Sequence, residues 1–193
     1  MSGFTKEIII RTLFELLNEK PLAKITVKDI VERCGVNRNT FYYHFRDISD
    51  VVESALLREV DNAFEHPVEV DSMLKCLEVL VKLIGENKKA MLHIYCSVQR
   101  ETFTSALDKM CQYVIKQYIV HNFKEEIMEK EDMKVLMHFY KCVMIGVILD
   151  WMDHRMSYDL TEYAEKLREL YENTFEKTLE KAAGTKPVYL KIV

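Results

Sequence analysis

Gly35 stands between two short apolar runs, each opened by a residue that caps helices, and this constrains the fold more than any other feature of the chain. Thr26 precedes Val27, Ile30 and Val31, whose spacing puts three apolar side chains on one helical face. Its hydroxyl can satisfy a free N–H of the first turn. Gly35 follows the run where a left-handed residue can close it. Asn37 then offers a second N-cap, and Phe41 and Phe45, four apart, face the same side of the next helix. The spacing therefore predicts two short helices, over 27–34 and 37–45, joined by a tight turn.

The segments around this pair also read as helices. Ile9, Leu13, Leu16 and Leu17 follow an i, i+4, i+7, i+8 pattern over 5–18, and Glu19-Lys20-Pro21 ends it. A helix opening at Asp47, with Asp50 three residues on, carries Val51, Val52, Ala55, Leu56 and Val60 to about Phe64. His66-Pro67-Val68 is the clearest interruption. Five more helices are predicted over 72–86, 88–98, 102–122, 131–153 and 160–181, and the tail after Gly184 has no pattern. With only 5 Gly and 3 Pro in 193 residues, long helices fit better than a turn-rich sheet. The fold class predicted is all-α.

Two short helices across a tight turn, the second with polar residues at its start, have the layout of a helix-turn-helix. A helix fits the major groove of DNA, so side chains early in it reach base edges while its apolar side is held from behind. Arg38, Asn39, Thr40 and Tyr43 are the candidates for bases. Asn37, Tyr42, His44 and Arg46 belong to the same contact set, and Lys28 and the Thr26 hydroxyl would add phosphate contacts from the preceding helix. The charge distribution suits this. Residues 1–46 hold eight Lys or Arg against five Asp or Glu, a surplus of +3 on a chain of net charge −4, which leaves −7 for the rest. The dull reading, a helical hairpin in an all-α core, leaves so many polar and aromatic groups on one short helix without a purpose.

Residues 25–47, ITVKDIVERCGVNRNTFYYHFRD, resemble the DNA-binding signature of the tetracycline-repressor (TetR/AcrR) family, and the likeness extends from Thr5 to Leu57. The resemblance implies a three-helix DNA-binding head, here 1–47, a six-helix ligand-binding and dimerising body, here 48–184, and a tail, 185–193. It further implies a homodimer on a palindromic operator, usually a repressor released when a small-molecule effector enters the body, and the scattered cysteines point to a reducing cytoplasm. Tyr140-Lys141 and the stretch Gly146-Val147-Ile148-Leu149-Asp150-Trp151-Met152, together with Phe41-Tyr42-Tyr43-His44-Phe45-Arg46-Asp47, are also similar to a branch that includes activators of dihydroxyacetone kinase operons, which act with a partner protein. A third reading, from a different class, is a helical protein-interaction module that has lost DNA binding.

Tyr95, Phe103, Tyr140 and Met144 supply the soft and aromatic groups that an effector pocket needs, and Gln99 and Arg100 could supply its polar handles. The same residues would equally make a filled core. Phe139, Val143, Gly146, Val147 and Trp151 on one long helix, with Leu170 and Phe175 on the next, leave apolar residues on more than one face, which calls for a partner. A four-helix bundle with two helices from each subunit would set two heads on half-sites about 34 to 36 Å apart.

Other chemistries find little support. His138 with Cys142 and His93 with Cys96 have helical spacings that could face a metal, but no metal-binding motif surrounds either pair, and no metal or cofactor is expected. No phosphate loop, nucleophile elbow or paired-carboxylate motif points to an enzyme. Five widely spaced cysteines argue against a disulfide framework. The charges at Lys6, Glu7, Arg11, Glu15 and Glu19 do not read as a secretion signal, and the uncharged run 142–149 is too short to span a bilayer.

Overall fold

The computed structural model describes residues 2–65, 72–123, 130–170 and 174–184, without the side chains of 2, 3, 59–65, 168, 175, 176 and 179. Among the described residues all regular structure is helical, as expected: α1 (Ser2–Glu19), α2 (Val27–Cys34), α3 (Arg38–His44), α4 (Ile48–Glu65), α5 (Met73–Glu86), α6 (Lys88–Tyr95), α7 (Arg100–Asn122), α8 (Glu131–Asp153), α9 (Leu160–Leu170) and α10 (Thr174–Ala183), with a 3-10 turn at Leu22–Lys24. The predicted helix 160–181 is described as α9 and α10 only. The interruption at 66–68 and the tail 185–193 lie outside the described residues.

The chain divides into two compact units, Met1–Asn62 with Ile84–Ala106, and Ala63–Leu83 with Leu107–Val193. In the first, α1 packs on α2 and α6, and α2 on α3. The face predicted for α1 is buried, Ile9, Leu13 and Leu17 completely, and Ile30, Phe41, Phe45, Val51 and Val52 of the same unit are at most 2% exposed. Ion pairs tie the elements at the rim. The Arg33 guanidinium grips both carboxylate oxygens of Glu19 at 2.6 and 2.9 Å, and Arg58 meets Glu7 at 2.7 Å.

In the second unit Tyr118, Ile115, Ile119, Cys76 and Leu80 are buried, and the Cys76 thiol donates to the Val114 carbonyl. α8 packs against α10 and turns Met133, Tyr140, Met144, Ile148 and Met152 inward. Lys141 reaches Asp108 of α7 at 2.7 Å, and this hydrogen bond raises the lysine pKa. Beside them burial pushes the Cys111 thiol up to about 12, which leaves it a neutral packing group. α8 ends with Arg155 and Met156 at φ 55 and 50, a left-handed pair that lets the Met156 N–H return to the Trp151 carbonyl at 2.8 Å.

Among the described helices α8 alone is long and apolar enough, by length and composition, to cross a membrane, yet only 28% of that stretch is covered by the protein itself. Val135, Phe139 and Val143 stand out from it, 59, 55 and 43% exposed.

Candidate nucleic-acid interface

Local chemistry fixes the turn between α2 and α3. Thr26 caps α2: its Oγ1 accepts from the Asp29 N–H at 3.2 Å, while the Asp29 carboxylate accepts from the Thr26 N–H and hydroxyl, each at 2.7 Å. Lys20 adds an ion pair at 3.0 Å. These bonds, the Thr26 hydroxyl first, hold the Asp29 carboxyl down at about 2. Gly35 follows at φ 71 and ψ 18, where any side chain would strain the backbone, although a Cβ would touch nothing within 4 Å. Asn37 then caps α3, its Oδ1 accepting from the Thr40 N–H at 2.8 Å and the Thr40 hydroxyl at 3.0 Å.

Phe41 and Phe45 anchor α3 from behind, 0 and 2% exposed with ring centroids 6.0 Å apart. The opposite face is open. Arg38 and Asn39 are exposed and, among the described residues, no other side chain engages either. Tyr42 and Tyr43 are 56 and 79% exposed, Tyr42 edge-on to Phe41 at 5.4 Å and Tyr43 edge-on to His44 at 4.9 Å. Arg46 follows α3, its backbone N–H donating to Asp50 Oδ2 at 2.9 Å and its side chain in a looser contact with that carboxylate at 3.7 Å, and the Lys28 side chain has a similar contact to Glu32.

Of the residues singled out on α3, Arg38, Asn39, Tyr42 and Tyr43 are exposed, while Thr40 and His44 are half-buried. Three members of the set are already occupied within the protein: the Thr26 hydroxyl donates to Asp29, Asn37 serves as a cap, and Thr40 donates to Asn37. Nothing in the spacing of the sequence distinguishes a cap that also faces DNA from one that does not. The pairing of Arg33 with Glu19, fourteen residues apart, was equally invisible.

The pocket residues expected from the sequence fall in two groups. In the first unit the Arg100 guanidinium lies over the Tyr95 ring at 4.2 Å and donates to its hydroxyl, Tyr95 meets Phe103 edge-on at 5.4 Å, and Gln99 donates to Ser49 Oγ at 2.6 Å. In the second, Tyr140 and Met144 are buried on α8. His93 is turned away from Cys96, its Nδ1 2.7 Å from the Leu17 carbonyl oxygen.

A cleft of about 700 Å³ opens between α8 and α9, lined by Gly146, Val147, Asp150, Tyr158, Glu162 and Lys166 among others. Tyr158 donates to Asp150 at 2.9 Å, and burial, then that carboxylate, pushes its phenol up to about 12. The lining of the cleft joins the apolar surface of Val147, Tyr158 and Tyr163 to the charged groups of Asp150, Glu162 and Lys166. Of the residues expected at a dimer face, Phe139, Val143, Gly146 and Leu170 are exposed and Val147 is half-buried. Trp151 is covered by its own chain, 6% exposed, with its indole N–H on the Tyr158 carbonyl at 3.0 Å. The Phe175 side chain lies outside the described residues.

Known proteins match both parts of the chain. A family model described as bacterial regulatory proteins, tetR family, matches residues 9–55, and one described as transcriptional regulator C-terminal region matches 71–173. The uncharacterized HTH-type transcriptional regulator YerO of Bacillus subtilis is 30% identical over 139 residues, 72% of this chain and 42% of that protein. The HTH-type transcriptional regulator EthR of Mycobacterium tuberculosis is 35% identical over 78 residues, 36% of each chain, and the tetracycline repressor protein class C of Escherichia coli is 33% identical over 60, 30% of this chain and 27% of that one. The matches thus span less than half the length of these curated relatives. With family models covering the helix-turn-helix and more than half of the chain beyond it, this protein belongs to the TetR family of bacterial transcriptional regulators.

Proposed function

We propose that the chain is a homodimeric, sequence-specific DNA-binding transcriptional regulator, a repressor released by a small-molecule effector. One observation carries the reading: α3 presents Arg38 and Asn39 at its start, exposed and without a partner among the described residues, on a helix anchored from behind by Phe41 and Phe45. Arg pairs bidentately with guanine and Asn with adenine, each worth about 1 to 3 kcal/mol of base discrimination. Thr40 and Tyr43 join them toward the bases, and Tyr42, His44 and Arg46 supply the flanking contacts, which position the helix without reading sequence. A protein-interaction module would give these polar groups no comparable task.

Dimerisation is assigned to the exposed apolar face of α8 with Leu170 of α9, because a helix so little covered by its own chain needs a second surface. Two copies then set two α3 helices on the half-sites of a palindromic operator, in the cytoplasm, where the chromosome is. The effector is assigned to the body, with Tyr95, Gln99, Arg100 and Phe103 as one group of candidate contacts and Tyr140 with Met144 as a separate one. To release DNA it must bind the DNA-free conformation more tightly than the DNA-bound one.

The finer alternative, an activator of a dihydroxyacetone kinase type operon working with a partner protein, rests on residues 41–47, Tyr140-Lys141 and residues 146–152. Deleting the gene separates the two: transcription from the bound promoter rises for a repressor and falls for an activator. The proposal itself is tested by footprinting a bound genomic fragment. Two protected half-sites one turn, or a multiple, apart are expected, and protection that follows no repeated sequence would defeat it.

A further inference from the structure

His138 and Cys142 lie one helical turn apart on α8, both exposed, amid Val135, Phe139 and Val143. Cys142 Sγ is 3.7 Å from His138 Nε2. In a tetrahedral zinc site, a thiolate at about 2.3 Å and an imidazole nitrogen at about 2.05 Å from the ion stand about 3.6 Å apart. The two side chains are therefore already spaced as one edge of a zinc tetrahedron. No group of three or more ligating side chains is assembled among the described residues of one chain, so two further ligands must come from elsewhere.

A second copy supplies them. This inference rests on the proposed pairing of two copies through the exposed face of α8. An isologous interface brings the same patch from both subunits to the two-fold axis, so a pair near the axis is doubled. Enclosed among valine and phenylalanine side chains, the pair would lose its water, and the single contact between thiol and imidazole leaves the rest of its bonding capacity unmet. We propose that His138 and Cys142 of two copies form a Cys2His2 zinc site at the dimer axis. Each imidazole binds through Nε2. Each thiol releases its proton to solvent as its sulfur–zinc bond forms, so two thiolates neutralise the divalent ion, and the closed site carries no net charge into an apolar interface.

The test uses the full chain, reduced and metal-free, titrated with Co2+ and Zn2+ while light scattering follows its mass. One ion per two chains is expected, with the visible bands of tetrahedral thiolate-bound cobalt, displaced by zinc. Zinc held a hundredfold above its site Kd should tighten the dimer about a hundredfold. Cys142→Ser and His138→Ala, both at exposed positions, should remain folded and abolish the cobalt bands and the zinc effect. A dimer that binds no cobalt, or binds it unchanged in Cys142→Ser, overturns the zinc site and leaves the dimer standing. A chain that stays monomeric with zinc present overturns both.

Discussion

Gly146→Ala separates what α8 needs as a helix from what it needs as an interface. Gly146 is exposed within α8, and a Cβ built there meets nothing within 4 Å. Within one chain the substitution therefore has no clash to pay for, and it should gain the ordinary helix-interior difference between Ala and Gly, about 0.5–1 kcal/mol. For a chain of this length that is a rise of roughly 1 to 4 °C in Tm. If two α8 helices approach closely at Gly146, the same methyl enters a packed contact from both sides. Overpacking costs about 1–3 kcal/mol, which weakens the dimer about 5- to 150-fold. Urea unfolding under conditions where the chain is monomeric reads the first effect, and dilution followed by light scattering or sedimentation reads the second. Opposite signs are predicted. A variant that is both better folded and equally or more tightly dimeric would show that Gly146 is not where the helices meet.

Asn39→Ala and Arg38→Ala should relax preference at particular base pairs, costing about 1 to 3 kcal/mol each on the operator and much less on random DNA, whereas Tyr42→Phe or His44→Ala should weaken both alike; binding titrations on the two DNAs decide, and equal losses for Asn39→Ala would remove it from base reading. Gly35→Ala should lower stability by about 1 kcal/mol, since the left-handed backbone costs about 1–2 and a stiffer unfolded chain returns only part of it; a stabilised variant in urea unfolding would mean that the turn is not left-handed. Asp29 has its carboxyl held at about 2 against an ordinary 3.8. Its contribution is then complete above pH 3.8 and is lost as the pH falls towards 2. Thermal melts should accordingly place Asp29→Asn below the parent chain at neutral pH, with the gap closing as both are acidified through that window, and a gap independent of pH would refute the assignment.

The head was legible because its determinants are local. Thr26, Gly35 and Asn37 each specify a backbone conformation within three residues of themselves, and Phe41 and Phe45 differ from their polar neighbours strongly enough to mark the buried side. What escaped was non-local: the 3-10 turn at Leu22–Lys24 carries no spacing signal, and the Lys20 ion pair with Asp29 depends on how the end of α1 meets α2. In the body the difficulty is different. Phe139 and Tyr140 are adjacent aromatics, and so are Val143 and Met144 as apolar neighbours, yet one of each pair faces out and the other in. A helix apolar on nearly every side has no sequence phase that singles out its core. Trp151 shows the cost of reading by size, because its indole N–H finds the Tyr158 carbonyl and the ring is covered from within.

The central claim is that α3 reads a DNA sequence. The most direct test incubates the purified protein with sheared genomic DNA of its own source at low salt, recovers the bound fragments, and compares the affinity of an enriched fragment with that of random DNA as salt is raised. The account predicts a discrete set of enriched fragments sharing an inverted repeat, bound at least about a thousandfold more tightly than random DNA at physiological salt. Absence of any enriched fragment, or equal affinity for both DNAs at every salt concentration, would contradict it.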